Sequence, residues 1–267
     1  MILYKYYGYE SGLAALKSQC LGFREPRYFN DPFELSALSH VSEGDADILE
    51  KVNEIRDSVV ILSLTRTPLN PLMWAHYGDE HKGFVVGYKV DTGFFQDPEF
   101  SLVPIDEGDV FYTNTKTPLN VCKDKLHKTW LDTLGAFDSP QEKLEFNKLS
   151  RKLFLTKHST WVYEEEVRVV KPKTSFFMTC ADFQSHPFRS FNSLDNVPGL
   201  RIYHQQHTIS EVYFGVRNPL LSEGNGSDEL YELANRENWG LSKIVLDDKS
   251  WSLKSSVLDS AEMLAKI

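Results

Sequence analysis

The chain has 267 residues, of which 41% are hydrophobic, 25% charged and 13% aromatic. That composition supplies a core and excludes a largely disordered or collagen-like protein. Lysines and arginines number 29 against 38 aspartates and glutamates, a net charge of −9, which disfavours nucleic acid and anionic membranes as partners. Ile2–Tyr7 reads as an opening strand. Ser11 is placed to cap a short helix over Gly12–Gln19, with Leu13 and Leu16 facing inward. Phe23–Glu34 is rich in turn formers. Ile48, Leu49, Val52 and Ile55 recur at helical spacing and predict a helix over about Asp45–Asp57. Val59–Thr65 is a buried strand, and Asn70-Pro71 opens a short helix, Pro71–Tyr77, that Gly78 ends. Gly83–Val90 is a strand, with two shorter ones near Ser101–Pro104 and Asp109–Tyr112.

The middle of the chain changes character. Leu119, Cys122, Leu126, Trp130 and Leu134 share one helical face, and Ser139-Pro140-Gln141-Glu142 opens a second helix reaching about Lys157. Together they predict an αα-hairpin inserted at about residues 116–157. Strand signals resume over Trp161–Lys171 and Phe176–Met178, then at Ile202–His204 and Glu211–Gly215. A helix over Leu220–Asn238 and strands over Leu241–Leu246 and Ser250–Leu253 complete the pattern. Strand clusters broken by helices predict a single α+β domain over residues 1–267, a mixed or antiparallel sheet with peripheral helices. Cys20, Cys122 and Cys180 are odd in number and far apart, which suits a reducing cytoplasm better than a disulfide framework. No apolar run has the length of a membrane span, and Met1–Tyr9 lacks the pattern of a secretory signal.

Chemistry concentrates in three places. A strand over Trp161–Lys171 alternates, so Glu164, Glu166 and Arg168 are expected on one face, with Trp161, Tyr163 and Glu165 on the other. Carboxylates two apart repel and raise one pKa unless a cation intervenes, and a salt-bridged solvated face is the plain alternative to a site. His76 follows Trp74 and precedes Tyr77, placed for general base or hydrogen-bond duty. Asn30 and Asp31 sit in a Phe-Asn-Asp-Pro-Phe turn, where Phe29 and Phe33 are expected to pin the loop and the polar pair to reach a ligand. Arg24 and Lys5 are candidate anion clamps. His76 and His81 miss the i, i+4 spacing of a helical metal site, and His204 with His207 has no third ligand, so no metal is expected. Phosphate-binding glycine loops and the nucleophile elbow are lacking from the sequence.

Several blocks in order resemble the bacterial family called domain of unknown function 2971. They are Leu3-Tyr4-Lys5-Tyr6, Phe29–Glu34, Asn70–Tyr77 with His81-Lys82-Gly83-Phe84, Trp161–Arg168 and Ile209–Gly215. The resemblance implies a bacterial cytoplasmic protein associated with phage defence. The chain is also similar in outline to ADP-ribosyltransferases. That outline implies an early polar strand holding NAD, here Tyr4, Lys5 and Tyr6. It further implies middle aromatics stacking on nicotinamide, here Trp74 and Tyr77, and a late glutamate, here Glu166, stabilising the ribosyl cation. The early strand lacks the histidine or arginine of those enzymes, and Leu62-Ser63-Leu64-Thr65 only echoes their Ser-Thr-Ser. The leading expectation is transfer or hydrolysis at the glycosidic carbon of NAD, with NAD as substrate and an unknown macromolecular acceptor. Glu166→Gln is expected to cost rate and little stability. The alternatives are a nuclease using Glu164, Glu166 and Asp31, and a non-enzymatic module that senses a nucleotide or peptide.

Overall fold

The computed structural model describes residues 1–36, 46–96, 101–116, 148–173, 191–193, 197–222 and 228–258. Its strands are β1 (Ile2–Tyr7), β2 (Cys20–Arg24), β3 (Val59–Thr65), β4 (Phe84–Lys89), β5 (Phe111–Thr113), β6 (Thr156–His158), β7 (Glu166–Pro172), β8 (Phe191–Ser193), β9 (Leu200–Gln206), β10 (Ile209–Phe214), β11 (Gly240–Leu246) and β12 (Leu253–Val257). Its helices are α1 (Tyr9–Ser18), α2 (Ala46–Asp57), α3 (Pro71–Tyr77), α4 (Gly93–Gln96), α5 (residues 148–154) and α6 (Asp228–Glu237). The main sheet runs β12-β11-β10-β4-β1-β3-β2-β9-β8, with β7 also on β3. It is mixed, open and mostly antiparallel; β10 and β11 run parallel with α6 between them in sequence. This is an α+β fold.

β3 is the hinge of the architecture. Its Val-Val-Ile-Leu run is apolar on both faces, as a strand covered on both sides must be. One edge pairs with β7 along its whole length, from Val59 on Pro172 to Thr65 on Glu166. The other edge is shared: Thr65 pairs with Tyr4 of β1, and Ile61 pairs with Arg24 of β2. The sheet therefore forks around Leu62–Leu64. One face carries Leu16, Phe23, Leu62, Leu64, Val86, Val169 and Phe214 in the largest core. The opposite face is covered in two patches. Val59, Ile61 and Val170 pack on Leu153 and Phe154, and Tyr6, Val85 and Ile244 pack with Met73 and Trp74 of α3.

Several expected elements differ. α1 starts at Tyr9 after Gly8, and the Ser11 hydroxyl donates back to the Gly8 carbonyl instead of capping. The expected strand Trp161–Lys171 is a 3₁₀ turn over Ser159–Glu164 followed by β7. Glu165 adopts a left-handed conformation at φ 44°, and the His158 side chain accepts from the Thr160 N–H, so local capping displaces the strand there. α5 ends before β6, which pairs in parallel with β5; the rest of the predicted hairpin, and Phe176–Met178, lie outside the described residues. Ser101–Pro104 reduces to a single bridge from Val103 to Val170. Near the end, Asp247 accepts from the Lys249 N–H and the Ser250 hydroxyl, so β12 begins at Leu253 and not at Ser250. Among the described residues no helix is long and apolar enough to cross a membrane.

Candidate functional site

The first residue of β7 anchors a buried ion network. Arg168 spends all five of its N–H donors. Its Nε and Nη2 meet the two oxygens of Glu166 at 2.8 and 2.9 Å, Nη1 and Nη2 meet those of Glu34 at 2.6 and 3.0 Å, and Nη1 also donates to the Phe154 carbonyl at 2.6 Å. Lys157 Nζ donates to Glu164 Oε2 at 2.5 Å and to Glu166 Oε2 at 3.2 Å. Tyr77 Oη donates to the other oxygen of Glu164 at 2.6 Å and accepts from Asn30 Nδ2 at 2.9 Å. The Glu166 N–H donates to Tyr112 Oη at 2.9 Å. A continuous path thus leads from exposed Asn30 through Tyr77, Glu164, Lys157 and Glu166 to fully buried Arg168 and its partner Glu34.

The charges explain the titration behaviour. Burial pushes the Glu166 carboxyl up, but Arg168 and Lys157 overcome it and hold the group well below the usual carboxylate range. Glu164 shifts the other way, because burial and the neighbouring Glu166 outweigh the pull of Lys157. Burial opposes the charge on Lys157, yet Glu166 and Glu164 keep its pKa raised. The Tyr77 hydroxyl is pushed up by burial and by Glu164, so it stays a donor. Lys5 reaches into the fork of the sheet, where Nζ donates to the Ser63 carbonyl at 3.3 Å. Burial lowers its pKa to about 8 against the opposing pull of Glu166. Glu34, Glu164 and Glu166 are thereby balanced by Lys157, Arg168 and Lys5.

Outside this network stands a rim of rings. His76 lies 6.2 Å from Tyr163 and 6.3 Å from Tyr77, Trp161 lies 6.0 Å from Tyr163, and Lys157 sits 5.0 Å over the Trp161 ring. Asn70 ties this rim to α3. Its side-chain oxygen accepts from the Leu72 and Met73 N–H groups, and its Nδ2 donates to the Tyr163 carbonyl at 2.6 Å. Directly across β3 from Glu166 is Thr65, itself opposite Tyr4. The Thr65 hydroxyl is buried with no hydrogen-bond partner among the described residues.

Glu164, Glu166 and Arg168 converge as the sequence suggests, though Glu164 does so from the 3₁₀ turn and not from a strand. The other residues divide. Tyr4 and Tyr6 share one face of β1 and pack in the patch around Trp74, while Lys5 belongs to the alternate position, so the three do not form one clamp. Tyr6 Oη donates to the Thr67 carbonyl at 3.1 Å and accepts from the Asn70 N–H. Trp74 is fully buried between Tyr6 and His81, with Nε1 on the Pro68 carbonyl at 2.8 Å; it has no open face on which a nicotinamide could stack. Tyr77 and Tyr163, both partly exposed, stand at the rim beside His76. Asp31 is buried and accepts from the Phe33 N–H, so it fixes its turn and does not face a ligand. Phe29 lies under the Arg168 guanidinium at 5.7 Å, but Phe33 is 62% exposed and does not pin the loop to the core. Arg24 donates to the Tyr28 carbonyl at 3.2 Å beside the fork.

No role at the site is read from sequence for Glu34, Lys157, Asn70, Tyr112 or Thr65. One signal was available for Lys157. Two glutamates and one arginine on a strand destined for the core leave charges unmatched, and buried ions require partners from elsewhere in the chain.

Residues 73–169 match the family model described as protein of unknown function (DUF2971). Over that stretch the chain is similar to the DUF2971 family. The match begins inside α3 and ends inside β7, so it takes in Trp74, His76, Tyr77, Lys157, Glu164, Glu166 and Arg168. It leaves Lys5, Asn30 and Glu34 outside. No curated protein and no solved structure gives a match.

Proposed function

We propose that this protein acts on the glycosidic bond of NAD, transferring the ADP-ribosyl group to water or to a macromolecular acceptor. The observation that carries the reading is the pair Glu164 and Glu166, gathered on Lys157 behind the rim of Tyr77, Tyr163, His76 and Trp161. A buried ion cluster is no gain in stability over apolar packing, so its presence favours a chemical role. In the reaction, the bond between the ribose C1′ and the nicotinamide nitrogen breaks and its electron pair leaves with nicotinamide. A new bond forms from C1′ to the incoming nucleophile, which releases a proton. Glu166, held anionic, offers negative charge toward the ribosyl cation. The rings of Tyr77 and Tyr163 offer flat surfaces for the bases. Within this reading the setting is bacterial cytoplasm and phage defence.

A second reading has its own support. Both oxygens of Glu166 are already occupied by Arg168 and Lys157, and the residue is only 6% exposed. An interior so fully paired also fits a module that binds a nucleotide at the aromatic rim without turning it over. Incubation with NAD, followed by mass measurement of protein and small products, separates the two. Free nicotinamide or an ADP-ribosyl adduct supports the enzyme, and a folded Glu166→Gln variant should then lose on the order of 10²–10³ in rate, with no effect of a chelator. Saturable NAD binding with no product supports the module. Chelator-sensitive cleavage of DNA or RNA without NAD consumption would overturn both.

A further inference from the structure

A second, separate cluster lies on the half-covered face of the sheet. Tyr4 of β1 and Tyr213 of β10 both donate to one oxygen of Glu211, Oε2, at 3.2 and 2.6 Å. Their rings stand 6.0 Å apart at 72°, nearly perpendicular. Register explains how they meet. Tyr4 and Glu211 are the two neighbours of Gly87 on β4, and Tyr213 is the next same-face residue after Glu211. Gly87 makes the arrangement possible. A Cβ there would stand 3.1 Å from Tyr4 Cε1 and 3.1 Å from Ile2 Cγ2, so a side chain would require the Tyr4 ring and Ile2 to give by a few tenths of an ångström. Tyr4, Glu211 and Tyr213 are all half-buried, open to solvent on one side.

Among the described residues the cluster holds a carboxylate and no cation. Among the described residues no lysine or arginine pairs with Glu211, and its Oε1 receives no hydrogen bond. Both tyrosine hydroxyls are kept protonated, by burial and by the carboxylate they serve. They therefore orient the carboxylate without neutralising it. Two half-buried tyrosine rings, set nearly perpendicular in edge contact beside an oriented carboxylate with no cation paired to it among the described residues, are the components of a receptor for an organic cation. One oxygen remains available, which suits the single charged centre of an ammonium better than the two-pronged fork of a guanidinium.

We propose that Tyr4, Tyr213 and Glu211 form a binding site for an alkylammonium group, presented by a free amine or by a lysine side chain of another protein. The site does not depend on the reading of Glu164 and Glu166. The test is an NMR titration of the full chain carrying ring-labelled tyrosine. The probes are n-butylammonium chloride, a short peptide with one internal lysine, and the same peptide with that lysine acetylated, against potassium chloride at matched ionic strength. Saturable shifts of two tyrosine rings with butylammonium, absent with potassium, support the proposal. Glu211→Gln should then weaken binding about ten-fold or more, since it removes the charge. Tyr213→Phe keeps the ring and should weaken it about two- to five-fold. Tighter binding of the lysine peptide than of butylammonium, lost on acetylation, assigns the site to a protein partner; the reverse order assigns it to a free amine. The proposal is overturned if butylammonium shifts the rings no more than potassium does, or if Glu211→Gln, shown folded by its spectrum, binds as the wild type does.

Discussion

At the residue scale, Glu164 and Glu166 look alike in sequence and have opposite roles in the fold. Glu166 is held charged by Arg168 and Lys157, whereas burial and the neighbouring Glu166 disfavour the charged form of Glu164. Removing the charge of Glu166 leaves Arg168 half-paired in the interior, where breaking one partner of an ion pair costs about 3–5 kcal/mol. Glu166→Gln is therefore expected to destabilise strongly, which reverses the small effect expected from a solvated strand face. Glu164→Gln removes one of the two carboxylates on Lys157 but leaves Glu166 there, keeps an acceptor for Tyr77 and removes a charge that burial disfavours, so it should cost less than Glu166→Gln, about 1.5–3 kcal/mol. Urea unfolding at pH 7 measures both. The pH dependence follows from the same shifts. The carboxyl of Glu166 lies below its ordinary value of 4.5, so its stabilisation is present above that pH and is lost as pH falls below it. The carboxyl of Glu164 lies above 4.5, so the native state binds the extra proton and stability declines as pH rises just past that value. Glu166→Gln should flatten the acid limb, and Glu164→Gln should remove the decline above it. Parallel profiles for both variants would contradict the assignment.

At the element scale, α3 shows what a sequence can reveal and where it stops. Asn70-Pro71 and Gly78 bracket the helix in sequence, and α3 spans Pro71–Tyr77 in the structure. β1 and β3 are equally legible, since short runs rich in β-branched, aromatic and other apolar residues, bounded by turn formers, favour a strand. The site was less so. Glu164 and Glu166 were visible as a pair, but their partners Lys157 and Glu34 come from a separate strand and a turn 134 residues from Arg168. No local pattern encodes such pairing. Face alternation breaks at Glu165, where one left-handed residue resets the count of faces. Asn70 was read only as a start signal, yet its side chain also holds Tyr163. Asn70→Ala should lose both functions, costing about 1 kcal/mol for the cap and a similar amount for the bond to Tyr163. Asn70→Asp keeps the capping oxygen and loses the donor, so its cost should be about half as large. Thermal unfolding of the two variants orders them; equal losses would show that the cap contributes nothing, and an Asn70→Asp variant as stable as the wild type would show that the Tyr163 contact contributes nothing.

At the scale of the whole molecule, one histidine sits where distant parts of the sheet come together. His207 joins β9 to β10, its backbone N–H donates to the Gln19 carbonyl after α1, and its ring packs 4.3 Å from Phe94 and 5.4 Å from Phe95 of α4. The ring is buried with Nε2 lacking a partner among the described residues, and Lys171 of β7 is near enough to oppose its protonation. Burial first, and then Lys171, lower its pKa from 6.5 to about 4. Because the unfolded chain takes up a proton at a higher pH than the native one, acid favours unfolding across that whole interval. Stability should therefore fall as pH drops from about 6.5 to about 4, by on the order of 3 kcal/mol at full extent. Glu164 contributes a slope of the opposite sign just above pH 4.5, so the wild-type curve is a sum, and the difference between variant and wild type isolates the histidine. His207→Leu keeps the backbone bond, removes the orphaned nitrogen and abolishes the titration. It should leave stability at pH 7 within about 1 kcal/mol of wild type, because an unpartnered polar atom is exchanged for an apolar one among phenylalanines. By pH 5 the variant should be the more stable protein. Urea unfolding at half-unit steps from pH 7.5 to pH 4.5 supplies the two curves. If they stay parallel over that range, His207 is not the group through which acid acts on the fold.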